Sequence, residues 1–260
     1  MKRLQQSGFT LVEIAIVLVV IGLLLGGILK GQQLINSARV RNLADQNSGV
    51  QAAYYGFIDR FRNLPGDMTC AAAEAAVGGA VSPGVCVPAV GGDANGRIDT
   101  VQEAAAVWSH LSVAGFLTGT YDGLTAADAL VAADGSNYAA TVPNNGVPAN
   151  AFQGAILLGH LNGYQEGTAA VARASVTRLG YSFGGNIPVP LLRDLDQKLD
   201  DGVAGTGVLR SSASSASALP DAFAAVTDFN PAGVSCLTTA APFTWNVDSS
   251  NQTCNAVFLY

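Results

Sequence analysis

The chain has 260 residues, 49% of them hydrophobic and 12% charged, with a formal net charge of −6. An acidic balance is a poor match for phosphates, so no nucleic acid is expected as a partner. Two histidines, four cysteines without a C-x-x-C pair, and no Walker loop, dinucleotide glycine fingerprint or HExxH leave no motif for nucleotide, haem or zinc chemistry, and the expectation is a protein that is not an enzyme.

The first element is Phe9 to Leu29, 21 residues with a single charge, Glu13. At 1.5 Å per residue it spans about 30 Å, the thickness of a bilayer's hydrocarbon core, so 9–29 is expected to be transmembrane. A carboxylate inside such a helix is costly and wants a partner. Lys2 and Arg3, followed by Ser7-Gly8-Phe9-Thr10-Leu11-Val12-Glu13, resemble the type IV pilin and pseudopilin signal. The resemblance implies a leader, 1–8, cut after Gly8 by a prepilin peptidase, methylation of the new terminus at Phe9, and pairing of Glu13 with the terminal amine of a neighbouring subunit. The physics agrees: an ammonium and a carboxylate are each costly in lipid alone and less so together. An ordinary secretory signal peptide fits worse, because the apolar run is too long, contains Glu13 and is followed by no A-x-A site. A plain signal anchor would need neither Gly8 nor Glu13. In each case Lys2 and Arg3 keep the amino end cytoplasmic and place the bulk of the chain outside.

The resemblance further implies a pilin-like α+β fold, a long helix packed on a small antiparallel sheet head with inserted helices and loops. It implies assembly into a helical homo-oligomer through an inner-membrane platform, with lipid as the partner before assembly. The protein would be single-pass in the inner membrane and later part of an extracellular pilus for adhesion or motility. A periplasmic secretion pseudopilus or a minor pilin is the alternative, and a membrane-anchored binding module that never assembles is the alternative of another class.

Gly26-Gly27 and Gly31 loosen the helix without a proline before Asn63, which departs from many major pilins. From Leu43 the pattern becomes amphipathic: Leu43, Val50, Tyr54, Phe57 and Phe61 share one face. One helix is therefore expected over 9–63, about 80 Å long, with its second half docked on a head formed by 64–260. Leu64-Pro65-Gly66-Asp67 ends it. Residues 63–260 hold six basic and 16 acidic side chains, net −10.

Cys70 and Cys86 then sit in a small-residue segment expected to be loop. Four cysteines in an oxidising compartment read as two disulfides with three possible pairings. Cys70–Cys86 and Cys236–Cys254 are preferred because each closes a short local loop, and the second resembles the carboxy-terminal loop of many pilins. Asp93, Asn95 and Asp99 resemble part of a calcium loop, with Gln102 where the closing glutamate belongs; an Asx-rich turn is the competing reading. Thr100-x-x-Glu103 is a capping box for a helix that buries Val101, Ala104, Trp108, Leu111 and Gly115, with His110 a surface or hydrogen-bonded residue. Leu64-Pro-Gly-Asp67, Asn95-Gly-Arg-Ile98 and Trp108-x-His-Leu-x-x-Ala-Gly115 together resemble a recurring large pilin-like family of uncertain function.

Residues 118–150 read as loop; Phe152–His160 and Ser175–Phe183 read as strands. Pro188 and Pro190 open a short helix with Leu192, Leu195 and Leu199 on one face, ending at Asp200-Asp201-Gly202. Asp194, Asp196, Asp200 and Asp201 form a second acidic cluster, with a solvated face as the competing reading. Asp200 and Asp201 join Asp93, Asn95 and Asp99 as candidate cation ligands, with calcium as the ion. Thr206–Arg210, Phe243–Trp245 and Val257–Tyr260 have strand character, Ser211–Ser217 is low-complexity, and Asn251-Gln-Thr253 fits a glycan acceptor pattern.

Overall fold

A computed structural model of the chain describes residues 11–78, 92–121, 146–167, 174, 176–212, 236–238, 243–248 and 254–260. Gly8, Phe9, Cys86, the acceptor triplet 251–253 and the serine-rich 213–217 lie outside these residues. Two units are distinguished, Met1–Arg39 and Val40–Tyr260.

In the first unit the described residues belong to helix α1, which runs from Leu11 to Phe61. Every residue from Leu11 to Lys30 is exposed, although the run is almost wholly aliphatic. Its most apolar 18-residue window has a mean hydropathy of 2.8 and no buried residue.

In the second unit the same helix changes character. Val40, Leu43, Asn47, Val50, Ala53, Tyr54 and Phe57 are buried at three- and four-residue spacing, the stripe that periodicity predicts, with Phe61 half-buried at its end. Phe57 meets His110 and Phe116 at ring-centroid distances of 6.3 and 6.2 Å. Tyr260, the carboxy-terminal residue, donates its hydroxyl to Asn47 Oδ1 at 3.0 Å and lies 6.5 Å from the Tyr55 ring. The helix stops at Phe61, two residues short of the expected end, where Arg62 takes a φ of 55°.

Helix α2 spans Cys70–Val77, where a loop was expected. Six of its eight residues are alanine or glutamate in sequence Ala-Ala-Ala-Glu-Ala-Ala, and alanine is the strongest helix former. Absence of an apolar period hid a helix that propensity alone supports. Helix α3, Val101–Val113, starts at the full Thr100–Glu103 capping box and buries Ala104, Trp108 and Leu111. Gly115 is not on its buried face: it is exposed beyond the helix end at a φ of 78°.

Four antiparallel strands form the sheet in the order β1-β2-β4-β3: Leu157–Leu161, Arg178–Ser182, Ala256–Leu259 and Leu209–Ser211. Leu157 pairs with Ser182, Ser182 with Val257, and Val257 with Arg210. The carboxy-terminal strand is thus internal to the sheet, between β2 and β3, which overlap the expected strands Ser175–Phe183 and Thr206–Arg210. Residues 152–156 form a turn held by Asn150 rather than the first half of a strand. Helix α4, Val189–Leu199, has Pro190 in its first turn and buries Leu191, Leu192 and Leu195. The arrangement is a pilin-like α+β fold: a long amino-terminal apolar helix, a small antiparallel sheet and additional helices.

Candidate functional sites

Three places concentrate chemistry. The first is the start of α1. Glu13 lies in its first turn, where a carboxylate is favoured by the helix dipole. It is the single charge in an otherwise apolar stretch reaching Leu29.

The second is the turn region after α1. Asp67, Asp93 and Glu103 bring carboxylate oxygens within 4.8 Å of one another. Each is already occupied by N–H donors. Asp67 Oδ1 and Oδ2 accept from the Asn95 and Gly96 amides at 3.0 and 2.9 Å. Glu103 Oε2 accepts from the Asp99 and Thr100 amides at 2.9 and 3.0 Å, and Oε1 from the Asp93 amide at 3.3 Å. Asp93 receives the backbone and side-chain amides of Asn95, both at 3.0 Å. Burial raises the Asp67 and Glu103 carboxyls, and these amides pull both part of the way back. Of the expected calcium-loop residues, Asp93 is in this group. Asn95 serves as its hydrogen-bond donor, and Asp99 is reached by the Asn95 side chain at 3.4 Å. Asp67 was legible only as a helix terminator and Glu103 only as a capping residue; nothing local announces that they meet.

Backbone geometry locks this region. Gly66 has a φ of 92°, and a Cβ there would stand 2.5 Å from the Glu103 carbonyl oxygen. Its amide donates to His110 Nδ1 at 2.9 Å. His110 is buried and lies parallel to Phe57. Burial lowers its pKa to about 4, so the ring is neutral and an acceptor at neutral pH. His160 plays a related part in β1: its Nδ1 accepts from the Ile98 amide at 2.9 Å, and its own amide donates to the Ile98 carbonyl at 2.7 Å.

The third place is the end of α4. Asp196, Asp200 and Asp201 form the other group whose oxygens lie within 4.8 Å, so two of the expected ligands are joined by a buried one. Asp194 is outside it and faces Arg193 at 4.0 Å. Asp196 Oδ2 accepts the Trp245 indole N–H at 2.7 Å. Trp245 lies in the loop closed by the Cys236–Cys254 disulfide, whose Cα atoms are 5.9 Å apart. Cys254 exchanges backbone hydrogen bonds with Ile187, just before α4. Burial raises the Asp196 carboxyl to about 6; the indole and the Gly202 amide oppose that rise. The expected Cys70–Cys86 bond lies outside the described residues.

The fold and the exposed apolar helix define a class, a pilin-like α+β protein whose amino-terminal helix is long and apolar enough to cross a membrane. The family model described as the prokaryotic N-terminal methylation motif matches residues 3–29, so the chain carries the type IV pilin prepilin signal. That match covers Gly8, Phe9 and Glu13. No curated protein and no solved structure matches the chain.

Proposed function

We propose that the protein is a subunit of a type IV pilus-like filament on the cell surface. It is cut after Gly8, methylated on Phe9, held in the inner membrane by residues 9–29, and drawn into the filament by an assembly platform. The observation that carries this reading is the methylation motif set on an exposed apolar helix with one carboxylate. In the filament, helix contacts replace lipid contacts along that stretch, and Glu13 pairs with the ammonium of the next copy's Phe9. The pairing makes incorporation depend on a neighbour in register, which insertion into lipid does not.

Mass spectrometry of the mature protein tests the processing step: a species beginning at methylated Phe9 is expected. An intact Met1 start, or cleavage near 35–40, would refute it. Glu13→Ala should insert into the membrane normally and fail to enter filaments; normal incorporation would remove the charge role. Electron microscopy of sheared fibres labelled for this chain distinguishes a surface pilus from a periplasmic pseudopilus. The size of the Val40–Tyr260 unit favours a second reading within the class, a minor subunit at the tip. Label confined to fibre ends would identify it.

A further inference from the structure

The end of α4 gathers a group of carboxylates that the proposed assembly does not use. Asp196, Asp200 and Asp201 present three carboxylate oxygens within 4.8 Å of one another. No described lysine or arginine forms an ion pair with any of the three. Asp196 has no exposed surface; the Trp245 indole occupies Oδ2 and the Gly202 amide also acts on the carboxyl, while Oδ1 is buried without a hydrogen bond among the described residues. A buried carboxylate oxygen in that position is unfavourable until a proton or a cation meets it.

The other two carboxylates are held in place around it. Asp200 Oδ2 accepts from the Val208 amide and, at 3.0 Å, from the Leu209 amide. Asp201 accepts from the Val203 amide at 2.8 Å and the Thr206 hydroxyl at 2.6 Å. Gly207 makes room, since a Cβ there would fall 1.8 Å from Asp200 Oδ2. The turn region Asp67–Asp93–Glu103 is the informative contrast: both oxygens of each of its carboxylates already accept an N–H. The α4 group differs in having a buried oxygen, Asp196 Oδ1, that accepts none.

We propose that Asp196, Asp200 and Asp201 bind a divalent cation of the calcium class, tying the loop between α4 and β3 to the disulfide-closed loop that carries Trp245. The ligand set is all hard oxygen, with no histidine or cysteine, which disfavours zinc. Two of its three carboxylates, Asp200 and Asp201, follow the helix end on an irregular glycine-containing loop, which suits calcium's adaptable coordination better than magnesium's rigid octahedron.

Terbium, a luminescent stand-in for calcium, tests the proposal on the full-length protein in detergent micelles. With excitation at tryptophan, saturable emission is expected because the Trp245 indole bonds a ligand carboxylate. Calcium should displace it with half-saturation at or below about 1 mM, the range of extracellular calcium modules. Trp245→Phe should abolish the sensitised emission, and Trp108→Phe should leave it. Asp201→Asn, on the exposed loop, should weaken calcium binding at least tenfold with an unchanged circular dichroism spectrum. Asp200→Asn, which keeps an oxygen acceptor for the Leu209 amide, should do the same. Calcium should also raise the melting temperature of the parent protein and not of either variant. No emission, emission that depends on Trp108 instead of Trp245, or unchanged calcium affinity in both variants would overturn the proposal.

Discussion

His110 gives a prediction whose size can be worked from the structure. Its ring is buried, accepts the Gly66 amide at Nδ1, and has a folded pKa of about 4 against 6.5 when exposed. A depressed folded pKa contributes stability that is complete above the unfolded value and is lost as pH falls through the folded one. Protonation of the unfolded chain therefore costs the fold about 2 kcal/mol between about pH 7.5 and pH 5, and about 3 kcal/mol below pH 4. Asp67, Glu103 and Asp196 act in the opposite sense, since burial raises their carboxyls. Acid stability of the parent protein alone would consequently mix the two. His110→Asn separates them: Asn Oδ1 can occupy the acceptor position for the Gly66 amide, does not titrate, and leaves the carboxylates in place. Urea unfolding of both proteins, in micelles with a chelator and followed by tryptophan fluorescence, should be compared at the two pH values. The variant is expected to be less stable at the higher pH, because the smaller side chain packs less well on Phe57. Its loss on acidification should be smaller than the parent's by about 2 kcal/mol. Equal pH dependence in both proteins would refute a neutral, buried His110.

Three further outcomes follow from the same geometry. Trp245→Phe removes the hydrogen bond to Asp196 Oδ2 and should destabilise by about 1–3 kcal/mol at neutral pH. Because the folded carboxyl titrates at about 6, the deficit should shrink on acidification to about pH 5, and a pH-independent deficit would contradict the assignment. Gly207→Ala places a Cβ against Asp200 at a φ of 67° and should lower stability by more than 1 kcal/mol, about the cost of a strained left-handed residue; a neutral result in chemical denaturation would show that the loop is not held as described. Thr100→Ala deletes the side-chain half of the α3 capping box and should cost about 1 kcal/mol in the same assay, with the Glu103 bonds to Asp93 and Asp99 retained.

Local physics was sufficient for much of the head. The spacing of Leu43, Val50, Tyr54 and Phe57 specified which face of α1 is buried. Thr100 and Glu103 specified where α3 begins, and Pro188 with Pro190 where α4 begins. Non-local geometry was not legible. Asp196 and Trp245 are 49 positions apart and Asn95 and Asp67 are 28 apart, yet each pair forms a hydrogen bond. Strand order has the same character: β4 pairs with both β2 and β3, which alternation within a strand cannot reveal. Helix α2 was missed for a different reason. Periodicity detects a helix by the face it buries, and six alanines and glutamates in a row carry propensity without a face.

The amino-terminal stretch inverts the usual relation between sequence and core. From Leu11 to Leu29 large aliphatic side chains are exposed on every side, Leu11 by 91% and Leu23 by 73%. Burial is worth roughly 25 cal/mol per Å² of apolar surface, and here none of it is gained within the chain. A helix that is apolar all round is stable only inside lipid or inside a bundle of other helices. One carboxylate at Glu13 makes those two environments unequal. Lipid offers it no counter-charge, whereas the proposed bundle of processed copies would offer one ammonium for each carboxylate. On the proposed filament reading, the free-energy difference between membrane and filament is concentrated in this single ionisable group, since the aliphatic surface is equally content in either.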